Sequence, residues 1–226
     1  MVKAVFLDVD NTLLDFDRCG AAAMRQGFKE LGLPFEERMY FDTFTNINEP
    51  LWKKIERGEL TKEGLFAIRW NLVFDALGIK GDGVAFEKRF HDLLLTAAVP
   101  VDGAAELAAY LHGKYTVCAA SNALYRQQIN RLTLAGIAPH IDHYFISERI
   151  GADKPSRAFF DAALASLPGI RAEECVMIGD SLTADIAGGV NAGMQTIWFN
   201  RKNDPVPKGC KADHIVTSLA EIAHIL

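Results

Sequence analysis

The chain has 226 residues, half of them hydrophobic and 23% charged, with a formal net charge of −5. That length and composition fit one large domain, or a domain plus an insert, with a real apolar core. There is no basic stretch long enough for a nucleic-acid footprint, and no apolar run of the ~18 residues that a membrane span needs. The four cysteines, Cys19, Cys118, Cys175 and Cys210, are scattered without a Cys-x-x-Cys pair. This argues against zinc and a disulfide framework, and for a reducing, cytoplasmic setting. Asp8 and Asp10 fall inside what would be the apolar region of a signal peptide, which argues against export.

In chain order, Ala4 to Leu7 is an apolar run that reads as a buried parallel strand. It ends in two carboxylates, Asp8 and Asp10. In an open α/β sheet the carboxyl ends of the strands are where ligands bind. Strand alternation puts residues i and i+2 on one side, so both carboxylates can address one point. A divalent cation and a shared chemical task are the reasons to hold two like charges so close. Asp-x-Asp alone also occurs in turns and calcium loops, and the rest of the chain must decide.

From there to Pro100 the pattern is helical. Helices are expected over Arg18 to Leu31, over Glu36 to Glu56 with an interruption near Asn46, Asn48 and Pro50, over Thr61 to Leu77, and over Gly83 to Ala97. Together they form an all-helical insert over 15–97 between two pieces of a Rossmann-like core, 1–14 and 98–226. Asn46, Asn48, Trp52, Arg69 and Trp70 stand out in this apolar set. They are either core aromatics with solvated polar neighbours, or contacts to the part of a substrate remote from the chemistry, where a Trp can stack on a planar group.

From Val101 onward strands and helices alternate. Strands are expected at Tyr115 to Ala120, Tyr144 to Ile146, Cys175 to Ile178 and Gln195 to Phe199. Helices are expected at Val101 to His112, Leu124 to Ala135, Arg157 to Leu167, Asp185 to Ala192 and Ser218 to Ile225. Alternation implies right-handed crossovers and a doubly wound α/β fold with helices on both faces of a parallel sheet. Three strands end in chemistry suited to the Asp pair. Ser121 offers a hydroxyl ahead of a helix N-terminus, Lys154 a positive charge before Pro155, and Asp180 and Asp185 further carboxylates. Each has a bland alternative: Lys154 as a surface lysine, Asp185 as a helix-capping acid.

The order Asp8-Val9-Asp10-Asn11-Thr12, Ser121-Asn122, Lys154-Pro155 and Gly179-Asp180-Ser181-Leu182-Thr183-Ala184-Asp185 resembles the motifs of the haloacid dehalogenase-like hydrolases. The helical insert sits where that family carries its C1 cap. Asn46-Ile47-Asn48-Glu49-Pro50-Leu51-Trp52, with Gly58 and Arg69, resembles the branch of 5'-nucleotidases acting on pyrimidine and non-standard nucleoside monophosphates.

The resemblance implies a Mg2+-dependent phosphomonoesterase. Asp8 would attack phosphorus and form an aspartyl-phosphate. Asp10 would protonate the leaving oxygen and then deprotonate the attacking water. Mg2+ would be held by the Asp8 and Asp180 carboxylates and the Asp10 backbone carbonyl, with Asp185 behind them orienting a ligand water or Lys154. Asn11, Ser121, the Asn122 amide and Lys154 would hold the phosphoryl oxygens, and Asn46, Asn48, Trp52 and Arg69 would select the substrate. The partner is a small phosphate monoester, with no nucleic-acid polymer and no membrane, and the protein a monomer or homodimer. Asp10 argues against a dehalogenase, which lacks the second Asp. The alternatives are a sugar-phosphate, acylneuraminate-phosphate or phosphoglycolate phosphatase, and a phosphosugar mutase.

Overall fold

A computed structural model of the chain describes residues 1–33 and 35–226. These form two compact units, Met1–Phe16 with Ala98–Leu226, and Asp17–Ala97.

The first unit is built on a six-stranded parallel sheet of β1 (Ala4–Leu7), β2 (Thr116–Ser121), β3 (His143–Ile146), β4 (Cys175–Gly179), β5 (Gln195–Phe199) and β6 (His214–Val216), in spatial order β3-β2-β1-β4-β5-β6. The chain first winds outward from β1 through β2 to β3, then crosses to the other side of β1 and winds through β4 to β6. The reversal falls between β1 and β4, whose registers align Leu7 with Ile178. Such a switch point opens a crevice at the carboxyl ends of the strands. Asp8 and Asp180 are the next residues after Leu7 and Gly179, so the fold delivers both to it.

Strand alternation splits the core across the sheet. Val5 and Leu7 join Val117, Ala119, Leu107 and Leu219 in one cluster, while Ala4 and Phe6 join Cys118, Phe159, Phe160 and Met177 in the other. Every side chain of β1 is fully buried, which fits a parallel sheet covered on both faces.

The second unit contains most of α1 (Phe16–Glu30), with α2 (Glu37–Glu56), α3 (Lys62–Leu77) and α4 (Gly83–Leu94). Its centre is an aromatic cluster in which Trp70 lies 4.4 Å from Phe86 and 5.2 Å from Phe44 between ring centroids. Thr61 caps α3 by accepting from the Gly64 amide, and Gly78 ends it in the left-handed conformation. The expected break near Asn46 to Pro50 is absent, and α2 runs unbroken through Pro50. A proline removes one helical hydrogen bond. Here Phe44, Asn48, Leu51 and Ile55 form a continuous buried face that holds the helix together.

Back in the sheet unit, α5 (Ala104–Leu111), α6 (Tyr125–Leu134), α7 (Ser147–Ile150), α8 (Arg157–Ala165) and α9 (Ala187–Ala192) connect the strands. α8 starts at Arg157 as expected, capped by Ser156. Two boundaries differ from expectation. Asp185 falls in a π-helical turn, Leu182–Ile186, ahead of α9. The closing element, Leu219–His224, is a 3-10 helix, because Ser218 and Glu221 form a capping box on a segment too short for stable α turns. Among the described residues no helix is long and apolar enough to cross a membrane.

Candidate active site

Four side chains converge at the switch point. The Lys154 ammonium donates to Asp8 Oδ1 at 2.7 Å, to Asp185 Oδ1 at 2.6 Å and to the Ala120 carbonyl at 2.6 Å. These three acceptors use all three of its hydrogens. Asp8, Asp180 and Asp185 carry carboxylate oxygens all within 4.8 Å of one another.

The loop chemistry behind this convergence is visible residue by residue. The Asn122 side chain grips the Lys154 backbone in both directions, donating to its carbonyl and accepting from its amide at 2.8 Å each. Thr12 Oγ1 accepts from the Asp180 amide at 3.1 Å, and Trp198 Nε1 donates to the Asp180 carbonyl at 2.8 Å. Asp185 Oδ2 accepts from the Ser181 amide at 3.0 Å. Gly179 makes that placement possible, since a Cβ there would lie 2.1 Å from Asp185 Oδ2.

Three carboxyl groups face one ammonium, with Asp8 and Asp185 buried and Asp180 half-buried. Burial pushes the Asp8 carboxyl up to about 7, with Lys154 pulling it down and Asp185 pushing it further up. Burial also raises Asp180 well above the ordinary carboxylate range, reinforced by Asp8 and Asp185. For Lys154, burial works to lower the ammonium, but Asp185 and Asp8 override it and hold it above its ordinary value. Lys154 is committed to Asp8 and Asp185, so the charge excess rests on the Asp180 side of the cluster. An all-oxygen donor set with surplus negative charge fits a hard divalent cation.

Asp10 goes elsewhere. Its carboxylate accepts from Arg131 Nη1 through Oδ1 at 2.6 Å and from Gln128 Nε2 through Oδ2 at 2.6 Å. Both Asp10 oxygens are thus held from the α6 side, while its charge still reaches Asp8 and adds to the rise of that carboxyl. Strand alternation governs only as far as Leu7, and Asp10 lies in the turn beyond β1. Asn11 takes a left-handed backbone with φ +62°, and its amide donates to the Leu14 carbonyl. Ser121 ends β2, buried, with its hydroxyl 2.9 Å from Gln128 Nε2.

In the helical unit, Asn48 and Arg69 are brought together and Asn46 and Trp52 are not part of that pairing. The buried Arg69 donates to Asn48 Oδ1 at 2.7 Å and to both Glu87 oxygens at 3.0 and 2.5 Å. Asn46 is exposed on α2. Trp52 packs, partly buried, against Leu51, Ile55 and Leu65.

Thr12, Gln128, Arg131 and Trp198 escaped the sequence reading. Thr12 lies within the Asp8 to Thr12 motif, a signal that could have found it. Gln128 and Arg131 look like ordinary polar positions of an amphipathic helix until the fold closes.

The profile described as haloacid dehalogenase-like hydrolase matches residues 2–193. YfnB of Bacillus subtilis is 31% identical over 99% of this chain and 95% of its own. Its crystal structure, described as bound to magnesium, superposes with a TM-score of 0.94, at 30% identity, over 100% of this chain and 98% of that one. The pyrimidine 5'-nucleotidase PynA of Streptococcus pneumoniae is 35% identical over 88% of this chain and 84% of its own. The pyrimidine 5'-nucleotidase YjjG of Escherichia coli is 28% identical over 98% and 96%. A parallel sheet whose switch point carries the clustered carboxylates and lysine, together with these full-length similarities, makes the chain a member of the haloacid dehalogenase-like hydrolases.

Proposed function

We propose that the chain is a Mg2+-dependent phosphomonoesterase acting through an aspartyl-phosphate on Asp8, with pyrimidine nucleoside 5'-monophosphates as its substrates. The observation that carries the chemistry is the setting of Asp8. It is the first residue past the central strand, Lys154 holds its Oδ1, and Oδ2 accepts from no described residue. A nucleophile needs such an oxygen with a lone pair to spare.

In the first half-reaction an Asp8 oxygen bonds to phosphorus as the bond to the ester oxygen breaks. Asp10 delivers a proton to that leaving oxygen. In the second, water attacks phosphorus, the Asp8–phosphorus bond breaks, and Asp10 takes the water's proton. Inorganic phosphate is released and both carboxyl groups return to their starting forms. Lys154 offsets the repulsion between a dianionic substrate and the carboxylates, and the Ser121 hydroxyl and Asn122 backbone amide donate to phosphoryl oxygens. Asp8, Asp180 and the Asp10 carbonyl would hold Mg2+, which supplies charge neutralisation for the transferring group. Asp185, tied to Lys154 and the Ser181 amide, keeps the lysine in place.

The substrate class is supported by the similarity to PynA and YjjG, both named as pyrimidine 5'-nucleotidases. The amino-terminal helical unit, residues 15–97, is read as the substrate-selecting cap, with Asn46 and Trp52 as the groups left for a base. Arg69 is spent on Asn48 and Glu87, and the two side chains Arg69 and Asn48 support that surface from within.

The test is phosphate release with Mg2+ from dUMP, UMP, dTMP, purine monophosphates, phosphoglycolate and sugar phosphates. Preference for the pyrimidine nucleotides is expected, with Trp52→Ala lowering their turnover. Preference for a sugar phosphate or phosphoglycolate, indifferent to Trp52→Ala, sinks the nucleotide assignment. Turnover that survives Asp8→Asn sinks the mechanism.

A further inference from the structure

Behind Asp10 lies a pair of side chains that the mechanism above does not use. Gln128 and Arg131 sit three residues apart on α6 and are both fully buried. Arg131 Nη1 donates to Asp10 Oδ1 at 2.6 Å and to Gln128 Oε1 at 3.1 Å. Gln128 Nε2 donates to Asp10 Oδ2 at 2.6 Å and to Ser121 Oγ at 2.9 Å.

The inventory of donors fixes every orientation in this chain. A guanidinium only donates, so the group of Gln128 facing Arg131 must be its carbonyl oxygen. The amide nitrogen therefore faces the other way. It carries two hydrogens, and it has two acceptors in reach, Asp10 Oδ2 and Ser121 Oγ. Ser121 accepts through its oxygen, so its single hydroxyl hydrogen is turned away from Gln128 and is available to donate. A carboxylate oxygen has more than one lone pair, so Asp10 stays competent while held in place.

We infer that Gln128, its amide locked by Arg131, is a positioning residue for phosphoryl transfer: it holds the Asp10 carboxylate and turns the Ser121 hydroxyl into a phosphate donor. This rests on the role proposed above for Asp10. A purely structural pair would need only to satisfy its own hydrogen bonds. Here one amide instead spans the acid–base group and the phosphate-binding hydroxyl, which belong to separate strand ends.

The experiment compares kcat/KM for a pyrimidine nucleoside 5'-monophosphate and for p-nitrophenyl phosphate, whose leaving phenolate needs little help from an acid. Gln128→Glu keeps the shape, puts an acceptor where Asp10 and Ser121 each require a donor, and draws the Ser121 hydrogen to itself. The nucleotide value is expected to fall roughly 100-fold, the scale of lost general-acid catalysis, and the aryl ester several-fold less. Gln128→Leu removes both donors without adding charge and carries the test if a second buried carboxylate unfolds the chain. Equal losses on both esters, or none, in the folded variant overturn the inference. Asp10→Asn is measured alongside. Selectivity there without selectivity at Gln128 overturns the positioning role alone, whereas no selectivity at Asp10 overturns the acid role on which it rests.

Discussion

Each unit of the molecule buries a cluster of charged side chains, and the two clusters are balanced differently. In the helical unit Arg69 is bracketed by Glu87 and Asn48, and His91 Nε2 lies 3.1 Å from Glu87 Oε1. Burial, reinforced by Arg69, pushes His91 down to about 4, so its imidazole adds no positive charge to the cluster near neutral pH. One cation meets one anion. In the sheet unit Lys154 meets Asp8 and Asp185 while Asp180 shares the same cluster. Three potential anions meet one cation. A closed pair offsets part of its desolvation cost: burial still lifts Glu87 above its ordinary value against the pull of Arg69. A cluster with surplus negative charge is a liability without a counter-ion and fits the Mg2+ proposed above. Nearness of charges does not separate structure from function here, but their balance does.

The largest stability effect should come from unbalancing the helical cluster. Glu87→Gln leaves Arg69 buried without a counter-charge, and a loss of about 3 to 5 kcal/mol is expected in chemical denaturation. A loss under about 1 kcal/mol, the range of an exposed ion pair, would mean that the Arg69 pair is not buried in solution. Balancing the sheet cluster should do the opposite. Mg2+ at a hundredfold excess over its dissociation constant should stabilise the protein by about 2.7 kcal/mol, seen as a rise in Tm. The rise should vanish in Asp180→Asn, and its persistence there would place the cation elsewhere.

Gly179→Ala sharpens the geometry. Its new Cβ would collide with Asp185 Oδ2 and push that carboxylate off Lys154 and the Ser181 amide. A cost of about 1 to 3 kcal/mol is expected from such overpacking, with a larger proportional loss of turnover. Unchanged turnover would show that Asp185 is not what holds Lys154 in place.

The smallest effect is the most diagnostic in sign. In the cation-free protein Asp180→Asn removes a carboxyl whose ionisation burial, Asp8 and Asp185 all oppose, so the variant should be more stable than the parent by about 1 kcal/mol, as often found where function costs stability. Destabilisation would show that the cluster is balanced after all, and the contrast between the units would fail.

Much of the sheet unit was legible without coordinates. The run Ala4 to Leu7 read as a buried strand because apolar residues on both faces leave no polar stripe, and it lies at the centre of the sheet. β2, β4 and β5 fell within a residue or so of expectation. β6 did not, because His214–Val216 is three residues long and two of them are exposed, too short to show a period. The continuity of α2 across Pro50 was hidden too. A local rule about proline was outweighed by a buried face whose partners are distant in sequence.

The same division runs through the site. The sequence alone determined that Asp8, Ser121 and Asp180 stand at strand ends, because strand period and abrupt polarity at a strand end are local properties of the chain; Lys154, expected at the end of a strand, instead lies beyond β3 and the short helix α7. Only the tertiary structure decided the pairings. Lys154 reaches Asp8 across 146 positions, Arg131 reaches Asp10 across 121, and Arg69 reaches Glu87 across 18. A charged residue has no preferred partner until the backbone closes and water is excluded, and it is that exclusion which makes each pairing compulsory.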